Sequence, residues 1–402
     1  MSILVQKFGG TSVESYDKMM EVIKIITSYR NKGYDLAIVV SAMGRKGSPY
    51  ATDTLIDLCK AANENPHKRE LDMIMSCGEI ISGTILTSML NENNIPATFL
   101  TGVQAGIVTT NSYSNAKIKK INPQKIEKEL SMGRVVVIAG FQGGTEDGEL
   151  TTLGRGGSDT SAVAIGRALG SKTVQIYTDV DGIMTADPRV ESEAEVIKFI
   201  EYEEVFQMAE QGSKVIHPRA VELAKKSDII LEIRNTFNPK FEGTKIGSLK
   251  NLEFDNDYEK DQHVVSAVAH KNNISQIKIK SPEDVFSNVL NEMEENKINM
   301  DMINFFDEDK SFAIDKDDVE VVERILKKYK VNYHITHDCA KVTLIGSKIT
   351  ETPGVIAKIV RGLSNVGIAL IQSSDSYTSV SCLVKEEDMA KTVHAIHSEF
   401  HK

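Results

Sequence analysis

The chain has 402 residues, room for two or three domains of roughly 100–200 residues each. With 41% hydrophobic and 26% charged residues it has the makeup of an ordinary globular protein with a sizeable core. Its 47 basic and 57 acidic residues leave a net charge of −10, which excludes a broad nucleic-acid surface; an anionic ligand must be drawn in by a few local lysines and arginines.

Along the first 235 residues, apolar runs alternate with helical stretches. The runs are "ILVQKF" (3–8), "LAIVVS" (36–41), "ATFLT" (97–101), "RVVVIAGF" (134–141), "TVQIYT" (173–178) and "IILEIR" (229–234). Helices are predicted over 15–31, 52–64, 69–91, 123–132, 158–169, 201–211 and 218–226. Continuous apolar strands between helices predict an α/β fold, a mostly parallel open sheet with helices on both faces. Four runs end in glycine or hydroxyl clusters, beginning at Lys7, Ser41, Gly140 and Thr178. Ligands of open α/β sheets bind at the carboxyl ends of strands, so the clusters are expected on one edge.

From about 236 the texture turns polar, and 241–262 reads as a linker between a domain of 1–240 and a C-terminal region. Beyond it lies an internal repeat at an offset of 70, in which Val289, Leu290, Met293 and Ile298 return as Ile359, Val360, Leu363 and Ile368. "SFAI" (311–314) likewise returns as "SCLV" (381–384). Two α+β units are expected, over 263–338 and 339–402, with 264–270 completing the second. Cys59, Cys77, Cys339 and Cys382 form no C-x-x-C pair and are expected to be reduced core thiols. The N-terminus lacks the pattern of a signal peptide, and no apolar run approaches the ~20 residues of a membrane span, so a cytoplasmic location is expected.

Lys7, Gly9, Gly10, Thr11 and Ser12 join a strand to a helix. Glycine lets the backbone approach an anion closely, and a helix N-terminus adds positive potential. The alternative is a plain turn with a solvated lysine, and no Walker A loop is present. In "TTLGRGGSDTSA", Arg155 between glycines is suited to clamping a carboxylate, whereas Ser158 and Asp159 read equally well as helix caps. Asp179 and Asp181 either form turns or meet a nucleotide and its magnesium. Glu79 is either a surface residue or an acceptor for an ammonium group, and Thr52-Asp53 either a helix N-cap or part of a site. His217 before Pro218 reads as structural. The pairs His334/His337 and His394/His397 lack cysteine partners and read as scattered surface residues.

In order, "KFGGTS", "SAMG", "TTLGRGGSDTSA", "YTDVDGIMTADPR" and "KVIHPRAV" resemble aspartate kinase of the amino-acid kinase superfamily, and the repeat resembles tandem ACT domains. The segments 41–55 and 69–82 are similar to the monofunctional, diaminopimelate-regulated Gram-positive type, and no dehydrogenase region is expected after 402. The resemblance implies ATP-dependent phosphorylation of the L-aspartate β-carboxylate, the first step toward lysine, diaminopimelate, threonine and methionine, with Mg2+ accompanying ATP. It places Lys7, Gly9, Gly10, Ser41 and Lys214 around the phosphates, and Thr178, Asp179, Met184 and Arg189 at the nucleotide. Met184 stands where some relatives have an aromatic residue. Aspartate would meet Thr52, Glu79, Arg155 and Ser158, with Asp159 beside them; Lys7, Asp159 and Lys214 would act in catalysis. An end-product amino acid would regulate a homodimer joined through its ACT domains; Asn299 and Asp301 in "INMDMI" read either as effector contacts or as a polar strand end. The competing readings are glutamate 5-kinase, uridylate kinase and a non-catalytic amino-acid sensor.

Overall fold

The computed structural model describes residues 2–212, 216–248, 265–347 and 349–401. They form two units, one of 2–183, 196–206 and 216–248, the other of 184–195, 207–212 and the described residues from 265 onward.

To residue 248 the elements are β1 (Ile3–Phe8), α1 (Tyr16–Asn31), β2 (Asp35–Val40), α2 (Thr52–Ala62), α3 (Lys68–Glu92), β3 (Ala97–Leu100), β4 (Ile107–Thr109), β5 (Ile118–Ile121), α4 (Gln124–Ser131), β6 (Val135–Ala139), β7 (Gln142–Gly144), β8 (Leu150–Thr152), α5 (Gly157–Ala168), β9 (Thr173–Thr178), β10 (Phe199–Glu201), α6 (Tyr202–Glu210), α7 (Pro218–Ser227), β11 (Ile230–Asn235) and β12 (Thr244–Gly247). The main sheet runs β10-β12-β11-β9-β1-β2-β6-β3. Its six strands from β11 to β3 are parallel, and β12 runs antiparallel to β11. One face buries Leu4, Phe8, Ile38 and Val40 against α1, which contributes Met19, Val22 and Ile26. Each such side chain is worth roughly 1.5–3 kcal/mol on burial. On the other face, Gly166 of α5 lies so close to Val174 that a Cβ would sit 2.6 Å from it. A small second sheet, β5-β4-β7-β8, is built from strands of three or four residues.

Among the described residues, α3 alone is long and apolar enough to cross a membrane, and half of its apolar window is buried in the fold. The segment read as a linker begins with a strand: Ile246 of β12 is fully buried, and Thr244 Oγ1 accepts the Ile183 N–H at 2.8 Å. Polar residues on either side of "TKIG" hide it in the sequence. Residues 249–264 lie outside the described residues.

The second unit holds β13 (Ala267–Lys280), α8 (Glu283–Glu295), β14 (Asp301–Phe306), β15 (Asp309–Asp315), α9 (Val319–Lys328), β16 (Asn332–Ile345), α10 (Val355–Asn365), β17 (Gln372–Ser376), β18 (Ser379–Lys385) and α11 (Met389–Phe400). The repeat is plain in the elements: β15 and β18, and α9 and α11, start 70 residues apart. All six strands form one antiparallel sheet, β14-β15-β13-β16-β18-β17. The two long strands each serve both repeats. Ala267–Lys271 pairs with Lys341–Ile345 of the second repeat, while Gln276–Lys280 pairs with Asn332–Thr336 of the first. Accordingly Val265 and Val268 pack in the core of the second repeat with Val342, Leu344 and Ile359.

The four cysteines are free; Cys339 and Cys382 are buried, Cys59 and Cys77 half-buried. Of the second histidine pair, His394 is a surface residue as expected, whereas His397 is not. His397 is buried with Nε2 2.9 Å from Thr185 Oγ1, and His394 Nδ1 lies 2.8 Å from Glu191 Oε2.

Candidate active site

The parallel register brings the strand tips level, with Phe8 opposite both Val40 and Tyr177, and Val40 opposite Ala139. The ladder runs one residue further, as Gly9 N–H donates to Tyr177 O (3.1 Å), Ser41 N–H to Phe8 O (3.2 Å) and Gly140 N–H to Val40 O (3.0 Å). The four glycine and hydroxyl clusters therefore share one edge. From β1 the chain proceeds to β2 on one side and later to β9 on the other, so the crevice at the tip of β1 is the switch point of the sheet. Gly10 is packed there against main chain, and a Cβ on it would lie 2.7 Å from the carbonyl oxygens of Ala42 and Gly44.

Lys7, the penultimate residue of β1, points into this crevice. Its Nζ lies 2.7 Å from Asp159 Oδ1, and both side chains are about nine-tenths buried, at 12% exposure. Asp159 sits in the first turn of α5, where the helix N-terminus adds to the attraction for negative charge. Neither Ser158 nor Asp159 caps α5. The N-cap is Gly156 in the left-handed region (φ +67°), with no side-chain cap bond, which frees both side chains for the crevice. The space at Gly156 is taken by His217, whose ring a Cβ would strike at 2.1 Å. His217 caps α7, its Nδ1 accepting the Arg219 N–H at 3.3 Å, and burial holds its pKa below the usual value. Between Gly154 and Gly156, Arg155 is exposed and makes no hydrogen bond or ion pair with the described residues.

Glu79 arrives from α3 and is 2% exposed. Its Oε1 accepts the Ala42 N–H at 3.0 Å, while Oε2 is buried with no partner. Burial pushes its pKa up to about 8. A carboxylate in this state can accept an ammonium group and ionise as it does so. Thr52 opens α2 at its first helical residue, and the N-cap is Ala51, so the hydroxyl is not spent on capping.

Asp179 pairs with Arg45 at 2.6 Å, and Thr178 Oγ1 donates to its other oxygen at 3.3 Å. Asp181 is held by the Asn235 and Asn238 amides. Met184 and Arg189 lie in the segment belonging to the second unit; Met184 is half-buried and Arg189 is exposed and bound to Asp187. Lys214 lies outside the described residues.

Two residues escaped the sequence reading. Asp72 is fully buried on α3, seven residues before Glu79, with no motif to mark it. Phe141, after β6, has φ +66°, a strained conformation for a bulky side chain. Ser161 Oγ accepts its N–H, and its carbonyl accepts the Leu153 N–H.

A model of the amino acid kinase family matches residues 2–235, and one of the ACT domain matches 334–398. The chain is 40% identical to aspartokinase 1 of Bacillus subtilis over 403 residues, which spans all of this chain and 99% of that protein. The chain belongs to the aspartokinase family. The aspartokinase of Thermus thermophilus is 36% identical, again over the whole chain. Two solved aspartokinases share the fold end to end at 24% identity: that of Clostridium acetobutylicum, with a TM-score of 0.81 over 99% of this chain and 100% of the other, and aspartokinase III of Escherichia coli in complex with aspartate and ADP, at 0.78 over 100% of both. The reaction of the family is the ATP-dependent phosphorylation of aspartate, and a glutamate or uridylate kinase of the same superfamily is set aside by this identity.

Proposed function

We propose that the crevice at the tip of β1 binds the triphosphate of ATP beside aspartate and yields 4-phospho-L-aspartate. One observation carries the assignment: the nearly buried Lys7 ammonium beside Gly9–Gly10 and the N-terminus of α5. Aspartate is ionised at neutral pH, so the attacking β-carboxylate needs no strong base. The difficulty is bringing two anions together, which positioning and fixed positive charge overcome. Lys7, with Lys214, offsets charge on the transferring phosphoryl group, and the main chain at Gly9, Gly10 and Ser41 lies along the phosphates. Thr178 and Asp179 meet the rest of the nucleotide. Glu79 Oε2 receives the aspartate ammonium, Arg155 takes the α-carboxylate, and Thr52 and Ser158 complete the pocket.

Magnesium fits this donor set as an ion borne by the nucleotide. Among the described residues no three His, Cys, Asp or Glu side chains gather into a cage, which suits an ion held mostly by phosphates and water. Asp159, paired with Lys7 at the crevice, would be a carboxylate within its reach. When bound, the ion offsets the charge of the triphosphate.

The product leads toward lysine, diaminopimelate, threonine and methionine, in the cytoplasm. The paired α+β repeats bind an end-product amino acid, namely meso-diaminopimelate, lysine or threonine, and join two chains into a dimer. Asn299 is exposed for such contact, whereas Asp301 is engaged by the buried Lys341. The domain scheme is a catalytic region to about 240 followed by two ACT-like repeats.

ADP release measured with aspartate, glutamate and UMP tests the reaction. Turnover with aspartate alone is expected, and the absence of turnover with all three would mark a sensor. Assays with the three effectors, singly and together, test regulation; insensitivity to all of them overturns it.

A further inference from the structure

We propose that Asp72 is the positioning residue of the Arg155 loop, and through it of the substrate's α-carboxylate. The proposal rests on the reading of Arg155 as the carboxylate clamp.

Asp72 is a wholly buried carboxylate with no cation within ion-pair distance among the described residues. It accepts from four donors. The Ser114 N–H spans both oxygens at 2.9 Å and the Ser114 hydroxyl donates at 3.0 Å. The Thr152 N–H donates at 2.8 Å and its hydroxyl at 2.9 Å. Burying an unpaired carboxylate is costly unless its oxygens are fully hydrogen-bonded. Four donors also require two acceptor oxygens; an asparagine supplies one. The site is thus built for a carboxylate.

The two gripped segments frame the arginine loop. Thr152 ends β8, two residues before Gly154. Gly154 has φ +77°, and a Cβ on it would lie 3.1 Å from Ser114 O, so the loop bends directly over the Ser114 turn. Arg219 closes the frame, donating to Leu153 O at 3.2 Å and to Asn115 Oδ1 at 2.8 Å. Arg155 itself touches no described polar partner, so its aim is set by this frame. Asp72 and Glu79 are seven residues apart on one face of α3, about 10.5 Å of helix rise. One helix therefore sets both ends of the substrate, the ammonium acceptor directly and the carboxylate clamp through the loop.

The test uses the full chain with aspartate and ATP each varied. In Asp72→Asn the aspartate KM is expected to rise about 10- to 100-fold, the loss that a misplacement of about 1 Å brings, while the ATP KM stays within about twofold. Added to Arg155→Ala, Asp72→Asn is expected to raise the aspartate KM no further. Thr152→Val removes a single donor and shifts the same constant in the same direction by less, which keeps the proposal testable if Asp72→Asn does not fold. An unchanged aspartate KM in both single variants overturns it, as does a double variant in which the two effects multiply. An unchanged aspartate KM in Arg155→Ala overturns the clamp reading instead; a raised KM there beside an unchanged one in Asp72→Asn overturns this proposal alone.

Discussion

Glu79 accepts the main-chain N–H of Ala42 through one carboxylate oxygen and keeps the other buried and unpartnered. Its pKa of about 8, against 4.5 in the unfolded chain, means that between these values the folded protein holds a proton the unfolded one has lost. Stability of the ligand-free protein therefore falls as pH rises across that window, by up to about 1.4 kcal/mol per pH unit. Glu79→Gln, fixed neutral, is expected to flatten this dependence in thermal unfolding scans. The aspartate KM is expected to fall between about pH 6.5 and 8.5 in the natural enzyme and to stay high and flat in Glu79→Gln. Identical KM profiles in the two enzymes would remove Glu79 from the ammonium site.

Lys7→Ala takes a preorganised donor from the crevice and strips Asp159 of its ion-pair partner. Turnover is expected to drop by roughly 10²–10³-fold, about 2.7–4 kcal/mol of transition-state stabilisation. Steady-state kinetics at saturating substrates checks this, and near-normal kcat refutes the role.

Arg155→Ala is expected to raise the aspartate KM about 10- to 100-fold, the worth of a charge-assisted hydrogen bond at about 1.5–3 kcal/mol. The ATP KM should hold steady. A collapse of ATP affinity beside unchanged aspartate affinity would reverse the assignment.

Gly10→Ala places a Cβ 2.7 Å from two main-chain carbonyl oxygens, neither of which can swing aside as a side chain would. Shifting the β1 tip is expected to cost about 1–3 kcal/mol of stability and most of the activity. Unaltered unfolding and kinetics would show that the tip yields freely.

Deleting residues 264–270 removes Val265 and Val268 from the core of the second repeat and leaves Val342–Ile345 without one neighbouring strand. Since the same strand continues into the first repeat, both repeats are expected to lose protection from amide exchange. Loss confined to the first repeat would contradict the pairing.

Of the six parallel strands, β1, β2, β6 and β9 were legible because burial on both faces leaves a nearly uninterrupted apolar run, as in Val135–Ala139. The strands of the small sheet were not. Gln142–Gly144 contains two glycines and no apolar side chain, and its pairing is dictated by tertiary contacts alone. Lys7, Arg155 and Glu79 stood out by residue type and neighbours, yet the ordinary reading of Ser158 and Asp159 as caps failed because Gly156 took that position. Asp72 was invisible, since an aspartate in "RELDMIM" reads as a polar helix residue until Ser114 and Thr152, 42 and 80 positions away, are seen donating to it. The placement of Met184 and Arg189 in the second unit was equally beyond a reading by contiguous segments.

The shared strands β13 and β16 bear on inheritance. A repeat of this kind arises when a gene segment is copied in tandem, and at first each copy can be lost or traded alone. Once each long strand crosses into its neighbour, a breakpoint between Asp315 and Asn332 splits both modules at once and leaves β13 and β16 as two open sheet edges prone to sticking. Such a pair can then be shuffled between genes only as a single block.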